Sequence, residues 1–143
     1  MKNPSSSSWV AYTDGASRGN PGLAGCGAYL CSPEGQEYRE FRFLDQVTNN
    51  QAEYEGLLLA LTKLTELQAD CIMLRADSEL MIKQLKGEYR VKNANMVPLF
   101  RKAQVLLKNF SSVQFEHVPR AQNKIADGLA NQAIDEHLLL ADS

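Results

Sequence analysis

The stretch Tyr12–Gly22, YTDGASRGNPG, decides how this chain is read. An apolar run, Trp9-Val10-Ala11-Tyr12, meets a single acid, Asp14, and then a loop carrying Gly15, Gly19 and Gly22. The run reads as a strand from Val10 to Thr13 that ends at Asp14. Glycines behind it let a backbone turn sharply and come close to another backbone. Working outward, Ala24 to Cys31 and Glu37 to Leu44 predict two more strands joined by the turn SPEG, an antiparallel meander.

Further along, Tyr54, Leu57, Leu61 and Leu64 recur at helical spacing, and Asn49 and Asn50 precede them as candidates for the cap. Cys71 to Ala76 (CIMLRA) is short and apolar after a helix, which predicts a buried parallel strand ended by Asp77. A short helix from Ser78 to Leu85 follows, stopped by Gly87. Pro98 fits the first turn of a helix running to about Asn109. Val113 to Val118 reads as a fifth strand, ended by Pro119. Asn123 then opens a last helix with the stripe Ile125, Leu129, Ala133, Ile134. Three strands, helix, strand, helices, strand, helix implies a mixed sheet with helices packed on it.

The 143 residues are the size of one compact domain, and 44% hydrophobic residues suffice for a core without disulfides or a structural metal. A net charge of −2 argues against a basic protein that simply coats nucleic acid. The three cysteines, Cys26, Cys31 and Cys71, lack CxxC spacing and lie in apolar stretches, so they read as core thiols in a reducing cytoplasm. Residues 1–8 (MKNPSSSS) read as a flexible tail rather than a signal peptide, and no stretch reaches membrane-span length. The expected domain is 9–137, with a C-terminal tail at 138–143.

Four acids occupy similar places. Asp14 and Asp77 end the first and fourth strands, while Glu53 and Asp127 lie in the first turns of two helices. Each has a bland reading: a turn residue, a helix cap, or an acid favoured by a helix dipole. Together, a carboxylate cluster at strand ends repels itself and resists burial unless cations offset it. Oxygen-only ligands suit a hard divalent ion such as Mg²⁺ or Mn²⁺.

Four blocks, YTDGASRGNPG, NNQAEYEGLLLAL, RADSELMIKQL and HVPRAQNKIADGLAN, resemble the motif blocks of type 1 ribonuclease H, in family order and over about Trp9 to Asp135. The ending and the lack of a long basic handle look most like the short archaeal and bacterial branch. The resemblance implies an α/β ribonuclease H-like fold, a five-stranded mixed sheet in order 3-2-1-4-5 with helices on both faces. It implies hydrolysis of the RNA strand of an RNA/DNA hybrid, leaving 5′-phosphate and 3′-hydroxyl ends. It places the catalytic, metal-binding carboxylates at Asp14, Glu53, Asp77 and Asp127. Two Mg²⁺ ions are expected, about 3.5–4 Å apart, with Mn²⁺ as substitute. A DNA-acting nuclease of the same fold and a non-catalytic binding module are the competing readings. The DGASRGNPG and TNNQAEYE blocks argue against the first, and the four intact acids against the second.

The resemblance also suggests Gly15, Asn20 and Glu79 on the RNA strand, and Thr48, Asn49 and Asn50 toward the DNA strand. Arg18 is expected to face the groove. Glu79 departs from the Gln of many relatives: a carboxylate accepts from a 2′-hydroxyl but cannot donate. Some relatives carry a His in a longer loop before the last acid. Here the connection is short, PRAQN, so Arg120 is favoured for reaching the scissile phosphate. His117 is expected to be structural and partly buried, and His137 is given no role. Lys83, Lys86, Arg90 and Lys92 form a small basic cluster, either a solvated surface or a phosphate contact. A monomer with no obligate protein partner and no membrane is expected.

Overall fold

The computed structural model describes residues 7–141. Most of the expected N-terminal tail (residues 1–6) and the end of the C-terminal one (142–143) lie outside the described residues. The chain runs β1 (Ser8–Gly19), β2 (Gly22–Cys31), β3 (Glu37–Val47), α1 (Asn49–Glu66), β4 (Cys71–Ala76), α2 (Glu79–Leu85), α3 (Val97–Leu107), β5 (Ser112–His117) and α4 (Lys124–Ala141). The strands form one sheet in the order β3-β2-β1-β4-β5, as the resemblance implied. The first three pair antiparallel; β4 pairs parallel to β1 and to β5.

The opening stretch differs from its sequence reading. β1 does not stop at Thr13. It pairs with β2 from Val10↔Cys31 through to Gly19↔Gly22, so the expected loop shrinks to the turn Asn20-Pro21. Gly19 takes that turn, at φ +136°. Gly15 serves a different purpose: a Cβ there would lie 2.1 Å from the carbonyl carbon of Ala52, so its bare backbone lets α1 lie directly on the strand.

α1 buries Tyr54, Leu57, Leu61 and Leu64 as its spacing requires, and these join Leu30, Ile72, Leu74, Met81 and Ile82 in the main core. Its cap is Thr48, not Asn49. The Thr48 hydroxyl accepts from the Gln51 N–H at 3.2 Å, and the Gln51 side chain accepts from the Thr48 N–H at 2.9 Å. Ser78 caps α2, accepting from the Met81 N–H at 3.2 Å, which leaves Asp77 outside the helix.

α4 covers the opposite face, lying across β1, β2 and β3. Its buried side is Ala126, Leu129, Ala130, Ala133 and Ile134, whereas Ile125, expected in that stripe, is 43% exposed. Gly27 of β2 lies under Ala126, Leu129 and Ala130, and Gly25 under Ala130, Ala133 and Ile134, whereas Ile125 lies off that face and borders a surface pocket with Tyr12 and Tyr29. α4 continues to Ala141, past the expected domain end at 137, and the His137 ring stacks on Phe43 at 3.7 Å. α3 stops at Leu107, short of Asn109. Only Cys26 is a buried thiol; Cys31 and Cys71, at strand ends, are half-buried, and all three are free. Among the described residues no helix is long and apolar enough to cross a membrane.

Candidate active site

The parallel pairing of β1 with β4 ends at Thr13↔Ala76. Asp14 and Asp77 are the next residues, so they leave the paired region side by side. Asp14 is therefore not at the end of its strand. It lies mid-strand, where β1 parts from β4 but continues along β2. Side chains alternate along a strand, so Gly15 faces α1 and Asp14 faces the α4 side, opposite Gly27.

Glu53 arrives from α1. The helix backbone is held against β1, and the Glu53 carboxylate accepts the Gly15 N–H at 2.5 Å. One oxygen each of Asp14, Glu53 and Asp77 lies within 4.8 Å of the others. Asp127 comes from α4, whose first helical bond is from the Asp127 N–H to the Asn123 carbonyl at 3.0 Å. Asn123, expected to open this helix, is buried and turns its amide inward to donate to the Thr13 carbonyl at 2.8 Å. That bond ties the start of α4 to the residue before Asp14.

All four acids line one open cleft of about 580 Å³. Burial, a shared hydrogen bond with Glu53 and the charges of Glu53 and Asp77 push the Asp14 carboxyl up to about 10. Burial, together with the Asp77 and Asp127 charges, raises Glu53 to about 7, against the lowering effect of its hydrogen bonds. Among the described residues no ion pair reaches any of the four. This donor set is crowded, oxygen-only and short of positive charge, which fits hard divalent cations.

The other expected site residues divide. Gly15, Arg18, Asn49, Asn50 and Arg120 line the same cleft. Arg120 sits in a single 3-10 turn, Arg120–Gln122, that fills the short connection before α4. Asn49, freed from capping, accepts from the Ser17 N–H at 3.0 Å, and its own N–H donates to Asn20 Oδ1 at 3.2 Å. Asn20 thus ties the hairpin turn to the start of α1 and does not line the cleft. Thr48 does not line it either, its hydroxyl being engaged in the cap. Glu79 opens α2 outside the cleft, 3.4 Å from Lys83 and 4.0 Å from His117 Nδ1. His117 is not the partly buried structural residue expected: its side chain is 40% exposed at the end of β5.

Of the basic cluster, Lys83 lies over the Tyr89 ring at 5.0 Å, and Lys86, Arg90 and Lys92 are exposed. That loop approaches the site, since Val91 and Asn93 share a cavity of about 80 Å³ with Asn50, Glu53 and Ser78. Sequence reasoning missed Asn131, which lines the main cleft one turn after Asp127. The i, i+4 spacing within ADGLAN was the available signal.

A family profile described as reverse transcriptase-like matches residues 12–133. The ribonuclease HI of Halobacterium salinarum is 43% identical over 127 residues, which cover 88% of this chain and 64% of that protein. A bifunctional protein of Mycobacterium tuberculosis is 38% identical over 88% of this chain, but only 35% of its own length is covered. The chain therefore spans less than two thirds of these relatives. Among solved structures, ribonuclease H1 of H. salinarum superposes with a TM-score of 0.86 at 42% identity, covering 90% of this chain and 98% of that one. The LC11 ribonuclease H1, solved in complex with an RNA/DNA hybrid, gives 0.85 at 35% identity, covering 91% and 99%.

Proposed function

The chain belongs to the type 1 ribonuclease H family, and from that premise we propose that it is an endonuclease cutting the RNA strand of RNA/DNA hybrids. The observation that carries the reading is the convergence of Asp14, Glu53, Asp77 and Asp127 from four separate elements on one open cleft. We assign metal binding and catalysis to these four, with Mg²⁺ as the working ion and Mn²⁺ as its substitute. Bound divalent cations supply an activated water and offset the negative charge gathering on the phosphate.

The chain's own residues do the rest. Asp14 clusters with Glu53 and Asp77 and also interacts with Asp127, so it would serve both halves of the site. Its raised pKa marks how strongly the cluster resists full ionisation until positive charge arrives. Gly15 gives its N–H to Glu53 and so fixes that carboxylate, and its lack of a side chain lets the α1 backbone at Ala52 and Glu53 come close enough for that bond. Asn49 and Asn50 present amides at the cleft edge, suited to the minor groove of a hybrid. Arg120, on its rigid turn, is placed to pair with the phosphate being cut. We assign the activity to the unit spanning residues 9–137, which holds every cleft residue, working as a monomer in the cytoplasm, where its three free cysteines stay reduced.

The test is cleavage of matched RNA/DNA, RNA/RNA and DNA/DNA duplexes, each labelled on either strand, with Mg²⁺, Mn²⁺ or chelator. Cutting confined to the hybrid's RNA strand, leaving 5′-phosphate ends and stopped by chelator, is expected. Cutting of DNA duplex in place of hybrid would replace the reading with that of a DNA nuclease.

A further inference from the structure

Asp127 differs from the other three acids in how it is held, and the difference points to a positioning residue. Glu53 takes a backbone N–H from the neighbouring strand, whereas Asp127 sits on a helix that meets β1 across a packed contact. What lies beside it is Asn131. The Asn131 amide donates to the Asp127 carbonyl at 3.1 Å and stands 3.5 Å from the Asp127 carboxylate. Its Oδ1 accepts from Arg18 at 3.2 Å, and the same Arg18 nitrogen pairs with Asp135 at 2.8 Å.

These contacts join two elements. Arg18 is four residues beyond Asp14 on β1; Asn131 and Asp135 are one and two turns beyond Asp127 on α4. The Arg18 side chain is 38% exposed and that of Asp135 60%, so the ion pair alone adds little to folding stability. Its effect is on orientation. With Oδ1 committed to a guanidinium, the Asn131 amide nitrogen can only point toward Asp127. We propose that Asn131, oriented by Arg18 and Asp135, is a positioning residue that holds Asp127 for metal and fixes its distance from Asp14. The proposal rests on the functional reading of Asp127 as a metal ligand.

The experiment compares wild type, Asn131→Leu and Asp135→Asn. Mn²⁺ binding to the protein without substrate is followed by electron paramagnetic resonance, and hybrid cleavage is followed across Mg²⁺ concentrations. Asn131→Leu should weaken Mn²⁺ binding about 10-fold and raise the half-saturating Mg²⁺ concentration by a like factor. KM for the hybrid should stay within about twofold. Asp135→Asn should move both in the same direction by less. Unchanged metal binding in both variants would overturn the proposal. So would a raised KM at unchanged metal dependence, since Asn131 would then be touching nucleic acid. Asp135 is on the surface, so its variant decides the matter even if Asn131→Leu folds poorly. A wild-type protein that binds Mn²⁺ but cuts no hybrid would overturn the functional reading, while the Mn²⁺ comparison would still decide the role of Asn131.

Discussion

The two sides of the cleft are built differently. On one, Asp14, Glu53 and Asp77 are set by backbone: parallel pairing brings Asp14 beside Asp77, and the absent side chain of Gly15 lets α1 deliver Glu53. On the other, Asp127 depends on the seating of α4 and on polar side chains around it. Backbone placement is rigid and tolerates crowding of like charge. Side-chain placement leaves room for adjustment when substrate and cations enter.

The largest effect is expected at the point common to both sides. Asp14→Asn should lower cleavage by about 10³-fold or more, since on the proposed assignment Asp14 serves both halves of the site. Asp127→Asn touches one side and should cost on the order of 10²-fold. Equal losses in single-turnover assays would erase the distinction between the two sides.

A pH experiment sharpens it further. Asp14 titrates near 10 in the folded chain and near 3.9 unfolded, so folding favours its protonated form. That contribution is complete below about pH 4 and is lost as pH rises toward 10. In chelator, the thermal midpoint should therefore fall across this window, and Mg²⁺ should recover more of it at pH 9 than at pH 5. Asp14→Asn should flatten the dependence. A midpoint in chelator that rises with pH would contradict the burial of this acid.

The smallest effect concerns support. Thr48→Ala removes one half of the capping box and should cost about 1 kcal/mol in urea unfolding, with metal binding unchanged. Its hydroxyl serves α1, not the cleft, so a change in KM for hybrid would give it a role that its position does not.

How much was legible follows from where the information lies. The sheet order and the four acids were readable because their blocks carry the resemblance, and the apolar spacing of α1 marks its buried face directly. The extent of β1 was not, because the residues after Asp14 look like loop. Only the partner strand shows that they pair and that Gly15 is small for the sake of Ala52. Ile125 misled because hydrophobicity alone does not tell which side of the first turn of α4 meets the sheet; Ala126 takes the contact and Ile125 borders a surface pocket with Tyr12 and Tyr29. Asn131 went unnoticed because its meaning depends on Arg18, which is 113 residues away in sequence.

The most direct test places wild type and Asp14→Asn side by side on one hybrid, with binding and cutting measured separately. We expect both proteins to bind in Mg²⁺, and only wild type to cut, on the RNA strand alone. Cutting by Asp14→Asn at the wild-type rate would contradict the account, as would wild type that binds the hybrid and leaves both strands intact.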